Sequence, residues 1–109
     1  MAMHVEVFRH RVDPDFQGEF DDLYARMVTV VRGLKGYISH KVFTAEDGER
    51  VLLGYFESFE AIEAWDVHPE HKHAKDRGKA DILTEYDVIV AKVVERHSKP
   101  PKDSDGQTI

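Results

Sequence analysis

The side chains able to move a proton or hold a polar ligand fall into two groups along this chain. Seven histidines are present and no cysteine, which removes thiolate nucleophiles, disulfides and Cys-based zinc or iron–sulfur sites. His68, His71 and His73 are closely spaced. At helical spacing His68 and His71 share a face while His73 is turned away from both, so the three make a poor metal site. Solvated surface histidines are the simpler account, no metal is expected, and His71 alone is kept as a base or hydrogen-bond partner that titrates near neutrality. The second group opens the chain, where His4, Glu6, Phe8 and His10 alternate with Met3, Val5 and Val7. Glu6 beside a histidine is a candidate proton acceptor; the competing account is a set of polar residues at the rim of an interface. Tyr55 and Tyr86 are candidate phenolic donors, although strand tyrosines commonly pack with the hydroxyl at the surface.

Composition narrows what these groups can serve. The chain has 109 residues, 15 Lys plus Arg against 21 Asp plus Glu, and a net charge of −6. Its basic residues are scattered, which argues against a nucleic-acid or anionic-membrane surface. A charged fraction of 33% with 41% hydrophobic residues suits an ordinary soluble domain. No run approaches the roughly 18 apolar residues that span a bilayer. Met1-Ala2-Met3-His4-Val5-Glu6 lacks the basic-then-apolar order of a signal peptide, so a cytoplasmic location is expected. From Ser98 the chain runs Lys99-Pro100-Pro101-Lys102-Asp103-Ser104-Asp105-Gly106-Gln107, without a large apolar residue before Ile109. The reading is one domain over residues 1–97 and a flexible tail over 98–109.

The elements that must position the polar groups follow from periodicity. Met3 to Val12 alternates as a strand. Asp13-Pro14-Asp15 breaks it and opens a helix, with Asp as cap and Pro in the first turn. Phe16, Phe20, Leu23, Met27, Val30 and Leu34 then form an amphipathic stripe that needs a sheet to lie on, ending at Gly33 and Gly36. Strands over Tyr37–Ala45 and Arg50–Glu57 are joined by Glu46-Asp47-Gly48-Glu49, a hairpin signal. A second helix follows the cap Ser58, burying Phe59, Ile62 and Trp65. His68-Pro69 interrupts it and starts a short third helix ending near Gly78. The last strand spans Ile82 to Glu95. Val88, Val90 and Val94 lie on one of its faces, Ile89, Ala91 and Val93 on the other, so both faces need cover. The helices can cover one. A second copy of the same sheet is the simplest cover for the other, which predicts a homodimer with face-to-face sheets. The β-α-β-β-α-β order reads as an α+β, ferredoxin-like domain.

In this order the chain resembles the antibiotic biosynthesis monooxygenase family of the dimeric α+β barrel superfamily. The resemblance is carried by the opening strand with Val12-Asp13-Pro14, by Gly33-Leu34-Lys35-Gly36-Tyr37-Ile38-Ser39, and by the hairpin Phe43-Thr44-Ala45-Glu46-Asp47-Gly48-Glu49-Arg50. Glu57-Ser58-Phe59-Glu60-Ala61 continues it, and the most specific piece is Ala64-Trp65-Asp66-Val67-His68-Pro69-Glu70-His71, with Ala74 and Gly78 after it. It covers nearly all of the chain before the tail.

The resemblance implies a ligand cavity between helices and sheet in each subunit. It also implies an enzyme that oxidises a small aromatic, quinol or polyphenol substrate with molecular oxygen, without metal, flavin or haem. Many members carry a Trp on the second helix, which makes Trp65, the sole tryptophan, a catalytic candidate together with His71; packing beside Phe59 and Ile62 is the plain alternative. Both are expected to border one apolar pocket roofed by the second and third helices. Glu6, Phe8, Tyr86 and Leu53 or Tyr55 are expected to bind substrate, with Phe56 on the opposite face of its strand. Were Val5 and Val7 to pack on the helices, Glu6, Phe8 and His10 would face the inter-sheet side or the cavity mouth. Haem-degrading members have an Asn on the first strand and a His ten residues beyond the Trp. This chain has no Asn between Met3 and Val12, and Lys75 at the second position, so haem breakdown is not expected. Members acting on polycyclic aromatics have an Asn one turn before the Trp, where this chain has Ala61. The runner-up function is a non-catalytic dimeric protein that binds a small ligand, or a stress-associated accessory protein.

The tail contributes no apolar cluster. Truncation after His97 is expected to leave the thermal midpoint unchanged, and a large drop would show instead that the tail straps onto the partner.

Overall fold

The computed structural model describes residues 2–101; most of the expected tail, residues 102–109, lies outside the described residues. The first strand, β1 (His4–Val12), is followed by a 3-10 turn (Pro14–Phe16) and α1 (Gln17–Arg32). The β2 strand (Tyr37–Thr44) and β3 (Arg50–Phe56) form the hairpin, α2 (Phe59–Asp66) and α3 (Pro69–Arg77) follow, and a π-helical turn (Gly78–Ile82) leads into β4 (Leu83–Lys92). The four strands form one antiparallel sheet in the order β2-β3-β1-β4. This is the expected α+β, ferredoxin-like architecture. Among the described residues no helix is long and apolar enough to cross a membrane.

Local chemistry sets the boundaries. Asp13 accepts a hydrogen bond from the Asp15 backbone N–H and so caps the 3-10 turn, while Ser58 accepts from the Ala61 N–H and caps α2. At His68 the backbone is extended, and its ring nitrogen accepts from the Glu70 N–H ahead of Pro69. The residue before proline is thus both the break and the cap. Gly33 ends α1 in right-handed helical geometry. The left-handed residue is Gly36, at φ 89°. In the hairpin Gly48 adopts φ 90°, its N–H donates to the Ala45 carbonyl, and the Ala45 N–H donates to Glu49. β4 is shorter at both ends than the alternation predicted: Ile82 is 1% exposed and closes the π turn, and pairing stops at Lys92.

The register fixes which side chains share a face. Val5 is opposite Tyr55 and Ala91, and Val7 is opposite Leu53 and Ile89; in the next strand pair Leu53 faces Lys41 and Val51 faces Phe43. These residues form the outer face, away from the helices. The inner face carries His4, Glu6, Phe8 and His10, with Leu52, Gly54 and Phe56 on β3. Val5 and Val7 therefore do not pack on the helices; the parity is the reverse of that conditional expectation. A packed core lies at one end of the inner face, where Val31, Phe56, Ile62 and Trp65 are buried against Met27, Val30, Leu34, Tyr37 and Ala61. Phe59 departs from the expected buried stripe. It is 43% exposed, with its ring against that of His4 at the start of β1.

Gly36 packs against the first turn of α2. A Cβ there would sit 2.6 Å from the Cβ of Ala61, on a backbone at positive φ. Gly36→Ala is expected to destabilise the fold by more than about 1 kcal/mol, since conformational strain and the clash add. Urea denaturation checks this, with Gly33→Ala, which has no such neighbour, as the reference.

Candidate active site

Beyond the packed core, the helices and the inner sheet face part to leave a cavity of about 680 Å³, a size that accommodates a small ring system. The floor is Glu6, Phe8 and His10 from β1, His40 and Val42 from β2, Leu52, Gly54 and Phe56 from β3, and Tyr86 and Val88 from β4. Phe20, Leu23, Tyr24, Met27 and Val31 of α1 form one wall. Trp65, Asp66, His71, Ala74 and Lys75 hang from the angled pair α2 and α3. Two short helices meeting at His68-Pro69 roof a space that one straight helix would fill.

Trp65 and His71 are brought together. Their rings stack with centroids 3.9 Å apart and planes 9° from parallel. His71 Nδ1 lies 3.0 Å from the Trp65 carbonyl oxygen, which makes Nδ1–H the donor and leaves Nε2 as a lone-pair acceptor. Burial pushes the His71 imidazolium down to about 4, against the smaller opposing effect of the Trp65 carbonyl. His71 is therefore neutral near pH 7, an acceptor rather than a strong base.

Glu6 is the better base. Among the described residues its carboxyl has no hydrogen-bond or ion-pair partner, and it faces the cavity. Burial, reinforced by the charge of Asp66 and opposed by Lys75, raises it to about 7. The Lys75 Nζ donates to the Asp66 carbonyl at 2.8 Å. A carboxyl that is half-ionised at neutral pH both takes and returns protons efficiently.

Phe8 and Tyr86 also line the cavity, as expected. Leu53 and Tyr55 do not. Residues of one parity on β3 point inward, and these are Leu52, Gly54 and Phe56; Leu53 and Tyr55 pair with Val7 and Val5 on the outer face. The expectation that put Phe56 on the far side and Leu53 or Tyr55 in the wall is corrected by that register. His68 is occupied as the α3 cap.

Sequence reasoning missed a third polar group. The Tyr37 hydroxyl lies 2.6 Å from His40 Nδ1, and the Tyr24 hydroxyl lies 3.2 Å from His40 Nε2; all three line the cavity. Burial, with the nearby Arg32 charge, lowers the His40 pKa. His10, 3% exposed, stacks on Phe8 and meets Phe20, and burial lowers its pKa too. Tyr24 sits one residue past the predicted stripe member Leu23. An inward tyrosine on α1 and a histidine of inner parity on β2 were the available signal.

Residues 3–77 match the family described as antibiotic biosynthesis monooxygenase. The chain belongs to that family. Solved relatives share its fold. Rv0793 of Mycobacterium tuberculosis superposes with a TM-score of 0.77 at 23% identity, over 89% of this chain and 100% of that one. A protein of Deinococcus radiodurans described as a proposed antibiotic biosynthesis monooxygenase gives 0.76 at 12% identity, covering 87% and 96%. Similarity in sequence extends to the uncharacterized protein YqjZ of Bacillus subtilis, 34% identical over 68 residues, which are 62% of this chain. The chain spans only 60% of that relative's length.

Glu6 and His71 have opposite effects on stability. Glu6 keeps its proton in the folded state up to about pH 7 and loses it near 4.5 when unfolded, so its contribution is full below about pH 4.5 and is lost as pH rises through 7. His71 resists protonation down to about pH 4, so its contribution is full above about 6.5 and is lost as pH falls through 4. Glu6→Gln is expected to stabilise the protein above pH 7 by about 1–3 kcal/mol and to make stability climb more steeply between pH 4.5 and 7. Urea midpoints measured across that range test it; identical pH profiles for wild type and variant would contradict the assignment.

Proposed function

We propose that the chain is a cofactor-independent monooxygenase that oxidises a small aromatic, quinol or polyphenol substrate with molecular oxygen. The observation that carries this is the unpartnered Glu6 carboxyl, raised to about 7, in an apolar cavity beside the stacked Trp65 and His71 rings. Glu6 takes a proton from the hydroxyl or acidic ring carbon of the substrate, and the resulting anion is electron-rich enough to reduce oxygen itself. Oxygen adds at the ring carbon as a peroxide, which recovers a proton from Glu6. The peroxide then loses water across the C–O–O–H unit: one oxygen atom stays as a ring carbonyl and the other leaves as water, with the electrons supplied by the substrate carbon. Where the proton is taken from the ring carbon, His71 Nε2 accepts a hydrogen bond from the substrate hydroxyl; Trp65 and Phe8 border the ring, and Tyr86 closes the β4 side. The largely apolar lining strengthens each of these polar contacts.

The working unit in this reading is a cytoplasmic homodimer of the 1–97 domain. Ile89 and Phe43 are each 50% exposed, on an outer face they share with Val5, Val7, Leu53 and Tyr55, and β4 is an edge strand. A second sheet laid on this face removes the exposed apolar surface. Leu53 and Tyr55, displaced from the cavity, serve that interface.

Oxygen uptake with a panel of quinols tests the chemistry. Turnover is expected with wild type and is expected to fall by roughly 10²–10⁴ in Glu6→Gln, the usual range for a lost general base; Trp65→Phe and His71→Ala should also lower it. Ligand binding without any oxygen uptake would identify a binding protein instead. Sedimentation is expected to show a dimer, and a stable folded monomer at micromolar concentration would refute the assembly.

A further inference from the structure

The cavity has a second polar pole that the reaction above does not use. Tyr37, His40 and Tyr24 form a chain of hydrogen bonds through one imidazole. Burial keeps His40 neutral, so it has one N–H and one lone pair. The 2.6 Å contact at Nδ1 is shorter than an N–H···O bond and suits an O–H donor, whereas 3.2 Å at Nε2 suits an N–H donor. The Tyr37 hydroxyl thus donates to Nδ1, and Nε2–H donates to the Tyr24 oxygen. Three polar hydrogens serve two bonds, and the one left over is the Tyr24 hydroxyl hydrogen. Among the described residues it has no acceptor.

The sheet register places this pole opposite Glu6. His40 is paired with Gly54 and Gly54 with Glu6, so the two polar residues lie on one cross-strand row, about 10 Å apart at two strand spacings. The residue between them has no side chain. A Cβ at Gly54 would stand among Phe56 and Leu52 ring and methyl atoms at 3.4–3.6 Å, so the glycine leaves a bare, apolar floor between two polar ends. We propose that Tyr24, set by His40 and Tyr37, donates a hydrogen bond to a second ligand oxygen at the end of the ring away from Glu6, so that the cavity selects aromatics oxygenated at two opposed positions. The selection rests on the aromatic-substrate reading given above and adds the residues that set its specificity. Tyr24 touches the ligand; His40 and Tyr37 are positioning residues, because without the Tyr37 donor the imidazole can reverse its tautomer and take up the free Tyr24 hydrogen.

Calorimetric titration with two oxygen-stable probes tests this on the full chain. Naphthalene-2,6-diol carries hydroxyls at opposite ends, and 2-naphthol carries one. Wild type is expected to bind the diol roughly tenfold more tightly, the worth of one good buried hydrogen bond. In Tyr24→Phe the affinity for 2-naphthol should persist while the preference for the diol disappears. Tyr37→Phe should reduce the preference while leaving the Tyr24 ring in place, which a merely structural role would not do. Equal affinity of wild type for both probes, or an undiminished preference in Tyr24→Phe, overturns the second pole and leaves the aromatic reading intact. Failure of wild type to bind either probe overturns both.

Discussion

The structure depends on a sheet face that is roofed without being filled. An antiparallel sheet gains most by packing the apolar part of its inner face directly on helices, and at one end it does so: Val31, Phe56, Ile62 and Trp65 pack into a core. At the other end the roof lifts away, because α2 and α3 are two short helices with an extended residue between them. The His68 ring caps α3 through the Glu70 N–H and Pro69 forbids continuation of α2. One break in the chain thus decides how much of the inner face becomes core and how much becomes cavity.

Inside that cavity burial sets the protonation of the polar groups. Glu6 and His71 both shift toward their neutral forms, with burial as the leading cause in each. The same low-polarity surroundings that raise a carboxyl to about 7 lower an imidazole to about 4, and so reverse the usual order of the two as bases. A sequence reader assigns the base to histidine because its ordinary pKa lies near neutrality. In this site the carboxyl is the group poised there, and the histidine is fixed by the Trp65 carbonyl and ring.

Much of the fold was legible in the sequence because its signals are local. The 3.6-residue stripe of α1, the Asp47-Gly48 hairpin, the Ser58 cap and the His68-Pro69 break each act within a few residues. Trp65 and His71 followed from the same break. What could not be read was strand parity. Alternation on β1 and β3 separates two faces but does not say which one the helices cover, since valine, leucine and phenylalanine occur on both. Leu53 and Tyr55 were placed in the wall for that reason, and Leu52, Gly54 and Phe56 occupy it. The Tyr24–His40–Tyr37 chain was invisible for a different reason: Tyr24 lies on α1, 16 residues before His40, and Tyr37, three residues before it on β2, would fall on the opposite face by simple alternation but for the register shift between Tyr37 and Ser39.

The roof helix α3 has no buried residue of its own. It is tied to α1 chiefly by Arg77 gripping Glu19 and by Arg26 gripping Glu70, both two-pronged at 2.7–3.0 Å. Ion pairs at partly exposed positions contribute little, about 0–1 kcal/mol each, and salt weakens them further. The floor, by contrast, is held by three ladders of backbone hydrogen bonds that salt scarcely affects. Salt therefore weakens the ties between α3 and α1 while leaving the platform beneath unchanged.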